Sequence, residues 1–134
     1  MGMVYERKII EYILYKTKCS HPFRISRILL LSEWDYFDKY GEKLTSFRYV
    51  AEPFAFYVEG LKDIIDNLID ENCAVLRQEK KCIEYTCSQP MLPGKIREIV
   101  DTIIDKTSML SDHELNRLVV NDKRYRGLLS GDRL

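Results

Sequence analysis

Apolar residues along the first forty positions recur with the spacing of helices. Tyr5, Ile9, Tyr12 and Ile13, with the stem of Lys16, form one stripe that predicts a helix from Met3 to Lys18. Cys19-Ser20-His21-Pro22 interrupts it, because a proline ring disfavours helical geometry in the preceding residue. A second helix is expected from about Arg24 to Tyr40, with Ile25, Ile28, Leu29, Leu31, Ser32, Tyr36 and Tyr40 on a broad inner face and Gly41 as its stop. The helical period is lost between Glu42 and Phe56, where β-branched and aromatic residues surround Pro53. This reads as an extended, packed loop with room for a short strand. Val58, Leu61, Ile64, Ile65, Leu68 and Ile69 return to helical spacing through about Glu71.

Two short strands are expected next, Ala74 to Gln78 and Cys82 to Cys87. A turn at Lys80-Lys81 sets Leu76 opposite Tyr85 and Ala74 opposite Cys87 on one face, and Arg77 opposite Glu84 on the other; a longer loop with another register is the alternative. After Pro90 and Pro93-Gly94, a stripe of Ile96, Ile99, Val100, Ile103 and Ile104 predicts a further helix. The last has the clearest start. Ser111 and Glu114 form an S-x-x-E capping box, with Leu110 placed to staple onto Leu115, and the helix should run to about Asn121.

Nine of the fifteen aromatic residues fall between Trp34 and Tyr57, a density that predicts either a core organiser or a docking surface. Unbroken apolar runs such as Ile28 to Leu31 are far shorter than the ~20 residues of a membrane span, and the charged N-terminal stretch lacks the apolar segment of a signal peptide. A cytoplasmic protein is therefore expected. In that setting Cys19, Cys73, Cys82 and Cys87, with no C-x-x-C pair among them, read as free thiols rather than metal ligands, although Cys73 and Cys87 flank the hairpin closely.

Twenty-one basic and twenty-one acidic residues cancel, so the whole chain has no field that draws it to phosphate backbones. The basic tail, Lys123, Arg124, Arg126 and Arg133 against Asp122 and Asp132, reads as a solvated terminus. Glu33, Asp35 and Asp38 diverge around their helix and read as a solvated or salt-bridged face. Arg48 has two readings: an internal pair with Glu33 or Asp35 that fixes the loop, or a planar anchor for a partner's carboxylate. The order of helices and hairpin, with Lys80 and Lys81 at the tip, is that of a winged helix. Yet the helix before the hairpin shows Lys62, Asp63, Asp66, Asn67, Asp70 and Glu71, a surface that repels DNA. No triad, metal or phosphate-loop constellation stands out.

Two stretches carry a family likeness. Leu29 to Ala51, LLLSEWDYFDKYGEKLTSFRYVA, resembles the Panacea domain family, which has an apolar run, an acidic residue, an aromatic helix ending Lys-Tyr-Gly, and an Ile-Thr-Gly-Asp-Arg-Tyr-Val-Ala type segment. Glu33 takes the acidic place, and Leu44 to Ala51 follow the later pattern. Leu110 to Tyr125 looks like the family's Leu-Ser-x-x-Glu-Leu helix, with Tyr125 where a tryptophan would stand. The chain departs from the family at Phe54-Ala55-Phe56, where Tyr-Gly-Pro is usual, and at Val120, a histidine position.

The resemblance implies a mainly α, winged-helix-like domain, and the length and the elements read above make it a single domain over residues 1–134 with about five helices and one small β-hairpin. It implies an antitoxin-like protein that binds a cognate toxin, for which the aromatic segment and the tail offer Trp34, Arg48, Tyr49, Phe54, Phe56 and Tyr125; the lack of a catalytic constellation reads as no enzyme and no cofactor. A winged-helix DNA-binding regulator is the alternative, a small enzyme without a recognisable motif is a further one, and a second copy of the chain is another candidate partner.

Overall fold

The computed structural model describes residues 3–131. Helix α1 (Met3–Thr17) leads through the two-residue strand β1 (Cys19–Ser20) into α2 (Pro22–Tyr40). Pro22 does not merely interrupt the chain. It occupies the first turn of α2, where its missing N–H has no helical partner to lose, while His21 caps the helix by accepting from the Phe23 amide at 3.0 Å through Nδ1. Gly41 ends α2 in the left-handed conformation at φ 70°, and its amide returns to the Phe37 carbonyl at 2.8 Å.

Helix α2 is the centre of the molecule. Every residue from Ile25 to Trp34 is buried, including Ser26, Arg27, Ser32 and Glu33, so the apolar face expected from the spacing has become a helix covered almost all round. It packs against α1, and against α4 (Gly94–Thr107) and α5 (Asp112–Val120) further along the chain. Fully burying each of its isoleucines and leucines contributes roughly 1.5–3 kcal/mol. Arg24, at its start, donates to the Thr107 and Leu110 carbonyls at 2.7 and 2.8 Å and so satisfies acceptors left open where α4 ends.

The segment expected to be an irregular loop contains a second hairpin. Strands β2 (Arg48–Glu52) and β3 (Ala55–Glu59) pair antiparallel from Arg48 opposite Glu59 to Glu52 opposite Ala55, around a two-residue turn at Pro53-Phe54. Val58 therefore belongs to β3, and α3 (Leu61–Asp70) begins after Gly60, whose φ of 89° turns the chain out of the strand. Strands β4 (Ala74–Arg77) and β5 (Cys82–Tyr85) form the expected hairpin in a register two residues away from the one predicted. Ala74 faces Tyr85, Leu76 faces Ile83, and a four-residue turn includes Lys81 at φ 54°. An even slip preserves the faces, which is why Arg77 still reaches Glu84, at 2.6 Å. Strand β1 adds to β5, giving the sheet order β1-β5-β4.

The expected fold class is thereby corrected. In place of a mainly α, winged-helix-like domain of about five helices and one hairpin, the described residues form six helices, ending with α6 (Tyr125–Leu129), and two small antiparallel sheets, with 55% helix and 16% strand. The expectation of free thiols is corrected as well. Cys19 is bonded to Cys82, across β1 and β5, and Cys73 to Cys87, across the open end of the β4–β5 hairpin. The capping box at Ser111 forms as expected, with both of its hydrogen bonds present. No helix among the described residues is long and apolar enough to cross a membrane.

Candidate functional site

The residues that carry the family-like pattern are held in place by two buried carboxylates. Glu33 of α2 accepts from the Leu44 and Thr45 amides at 2.7 and 3.1 Å through one oxygen, and from the Thr45 and Tyr49 hydroxyls through the other, the latter at 3.2 Å. Glu6 of α1 accepts from the Ser46 amide at 3.3 Å and from the Ser46 hydroxyl. The chain leaving α2 thus docks onto α1 and α2 through charge-assisted bonds rather than by apolar contact alone. Burial pushes the Glu33 carboxyl above its ordinary range, against the pull of the four donors. It also pushes the Tyr49 hydroxyl well up, helped by the adjacent Glu33 charge.

Above this clamp lies a cleft of about 360 Å3. Glu33, Thr45 and Tyr49 form its floor, Leu128 and Leu129 of α6 stand on one side, and Lys43 and Arg48 line the opening. Arg48 is exposed, and its side chain makes no hydrogen bond or ion pair among the described residues. Neither expected internal partner holds it. Glu33 is occupied by the clamp, and Asp35 lies against Arg124 at 3.2 Å. Arg124 also reaches Asp38 at 2.7 Å and Asp122 at 2.8 Å, so the basic tail is in part an ion-pair network and not a solvated terminus. Arg133 and Asp132 lie outside the described residues.

The hairpin tip is fastened from beneath by three helices. The Tyr125 hydroxyl of α6 sits between the Glu52 and Ala55 carbonyls at 2.6 and 2.7 Å, and Asn116 of α5 donates to the Phe54 carbonyl at 3.0 Å. Arg27 of α2 donates to the Phe56 carbonyl at 3.4 Å and holds Asn116 through two further bonds. These polar contacts fix the backbone of the turn while leaving the Phe54 ring 82% exposed.

The six residues expected at a partner surface therefore separate. Trp34 and Tyr125 are each 1% exposed, and Phe56 is buried. The Trp34 ring lies under the Arg124 guanidinium at 4.8 Å, and its indole N–H has no acceptor among the described residues. These three build the platform and offer no surface to a partner. Tyr49 is half-buried with its hydroxyl on Glu33, which leaves Arg48 and Phe54 as the members presented to solvent. Residue reasoning missed Glu6, Arg27 and Asn116. Each looks like an ordinary polar position of an amphipathic helix, and only the long-range packing shows what it holds. No known family, curated protein or solved structure matches the chain.

Proposed function

We propose that the chain is an antitoxin-like domain that neutralises a cognate toxin protein by direct contact, through the β2–β3 hairpin and the mouth of the adjoining cleft. The observation that supports this reading is Arg48, an exposed guanidinium without a carboxylate, on a hairpin held at its base by Glu33 through the Tyr49 hydroxyl and at its tip by Asn116 and Tyr125 on the backbone carbonyls. Arginine and aromatic side chains dominate binding energy at protein interfaces, and a surface fixed in advance loses little freedom on docking. Arg48 at the base of the hairpin and Phe54 at its tip are one of each. The chemistry of the partner follows: a carboxylate for the Arg48 fork and an apolar recess for Phe54. The exposed side of α3 carries Asp63, Asp66 and Asp70 against Lys62, which favours a protein partner over DNA.

The test is co-expression with the product of the reading frame beside the gene. That product alone should arrest growth, the intact chain should relieve the arrest, and Arg48→Ala should fail to relieve it while keeping the melting temperature of the parent. A harmless neighbour, or full rescue by Arg48→Ala, would count against the proposal.

A further inference from the structure

A second opening, a groove of about 490 Å3, lies between the start of α2, β3, α3 and the β4–β5 hairpin. Phe23, Leu61, Ile65, Ile69 and Ile83 make it strongly apolar, and Tyr57 and Leu76 are half-exposed beside it. Among these walls is a cation. Arg27 is 3% exposed, with its guanidinium 3.8 Å from the Phe23 ring centre and 4.3 Å from that of Phe56.

The partners of Arg27 are all neutral. Nε and Nη2 donate to the Asn116 side-chain oxygen at 3.1 and 2.8 Å, and Nη1 donates to the Ser26 hydroxyl at 2.8 Å and the Phe56 carbonyl at 3.4 Å. The second hydrogen of Nη2 has no acceptor among the described residues. The nearby acids are engaged elsewhere: Asp66, which lines the groove, is bound by Lys62 at 2.8 Å, and Asp112 by Arg24 at 2.9 Å. Burial lowers the guanidinium to about 10, which still leaves it charged at neutral pH.

Ring faces compensate a buried cation only in part, and a charge taken out of water without a counter-charge is unfavourable. Neutral donors could make the same bonds to Asn116 and the Phe56 carbonyl, so holding the hairpin does not by itself call for a full positive charge. An anion entering the groove would meet that charge in a setting of low dielectric, where the attraction is strong. The volume is that of a small-molecule site with mostly apolar walls and a few polar groups, in which Ser26 is bound to Arg27 and Lys62 is paired with Asp66.

We propose that this groove binds a small apolar carboxylic acid, with its hydrocarbon body against Phe23, Ile65 and Leu76 and its carboxylate directed to Arg27. The site is separate from the cleft beside Arg48, so it stands or falls independently of the antitoxin reading.

The experiment is titration of the protein with decanoate, decan-1-ol and decylammonium, followed by the methyl NMR signals of Ile65, Ile69, Leu76 and Ile83. Decanoate should shift these signals saturably and bind at least about tenfold more tightly than the alcohol, with the ammonium weakest, because only the carboxylate brings a counter-charge to the guanidinium and its remaining Nη2 hydrogen. Leu76→Asp, at a half-exposed position, should weaken decanoate binding by about tenfold or more through repulsion and lost apolar contact while leaving the melting temperature unchanged. Arg27→Gln should abolish the preference for the acid over the alcohol; should that variant not fold, Leu76→Asp carries the decision. Equal affinity for acid and alcohol, no saturable shift, or shifts outside the groove would overturn the proposal. So would a partner protein that moves these methyl signals when decanoate does not, since the groove would then be a protein dock.

Discussion

Glu33 accepts four hydrogen bonds in a site almost closed to water, so both of its oxygens are committed to the segment they hold. Removing the side chain leaves the Leu44 and Thr45 amides buried without acceptors. Glu33→Ala should therefore lower stability by about 3 kcal/mol or more, and a loss below about 1 kcal/mol in urea melts would mean that water replaces the clamp. The charge state gives a second check. Because burial raises the folded-state pKa above the ordinary 4.5, the folded protein retains this proton to higher pH than the unfolded chain. The stability from this group is fully present below 4.5 and is lost as pH rises through the raised value. Melting temperatures of the parent and Glu33→Gln should then differ most favourably for the parent near pH 4, with the advantage shrinking toward neutrality. A constant difference would show that Glu33 titrates normally. Asp122 has the opposite sign: its hydrogen bonds to Arg124 lower its pKa, so its contribution is lost as pH falls below the ordinary 3.8. Arg48 touches neither network, and Arg48→Ala should change stability by less than about 0.5 kcal/mol. A larger loss would reveal an internal role and weaken the case for Arg48 as a contact residue.

At the scale of elements, the helices were legible because period and caps agree. The Ser111 hydroxyl accepts from the Glu114 amide at 3.1 Å, and the Glu114 carboxylate accepts from the Ser111 amide at 2.8 Å, as the S-x-x-E spacing requires. Ser111→Ala should cost about 0.5–2 kcal/mol, and an unchanged denaturation midpoint would place the start of α5 elsewhere. The β2–β3 hairpin was not legible, for a physical reason. Tight hairpins usually announce themselves by Asn-Gly or a similar pair with positive φ, whereas neither Pro53 nor Phe54 has one. This turn is held by tertiary bonds from Asn116 and Tyr125, residues sixty and more positions away. Cutting one of them tests that account. Asn116→Ala leaves Arg27 without its main acceptor and frees the Phe54 carbonyl, so a loss of about 2–3 kcal/mol is expected. Amide exchange should speed up in Arg48–Glu59 before it does in α4. Equal acceleration throughout the protein would mean that the hairpin is not a locally fastened unit.

At the scale of the whole molecule, the distant pairings decide what the sequence could not. The strand Cys19–Ser20 is two residues long and indistinguishable in pattern from a helix-to-helix connection. Its pairing with β5, Cys19 opposite Glu84, brings Cys19 to Cys82. The two-residue shift of the β4–β5 register likewise takes Cys87 out of the strand, to where it meets Cys73 at the open end. Reading the cysteines as thiols thus failed together with the sheet topology, since spacing alone does not say which of four cysteines are neighbours. Both bonds restrict the unfolded chain, and their loops differ in size. The separations of 63 and 14 residues correspond to about 4 kcal/mol for Cys19–Cys82 and about 3 kcal/mol for Cys73–Cys87 in the loop-entropy account. The double variants Cys19→Ser/Cys82→Ser and Cys73→Ser/Cys87→Ser should each unfold at lower urea, the first more readily than the second. Reductant should shift the parent curve and leave that of a variant with all four cysteines replaced unmoved. Thiol titration of denatured, unreduced protein should find no reactive group. Two or more reactive thiols, or a parent melt indifferent to reductant, would mean that the chain folds without these bonds and that the packing around α2 alone holds the sheets in place.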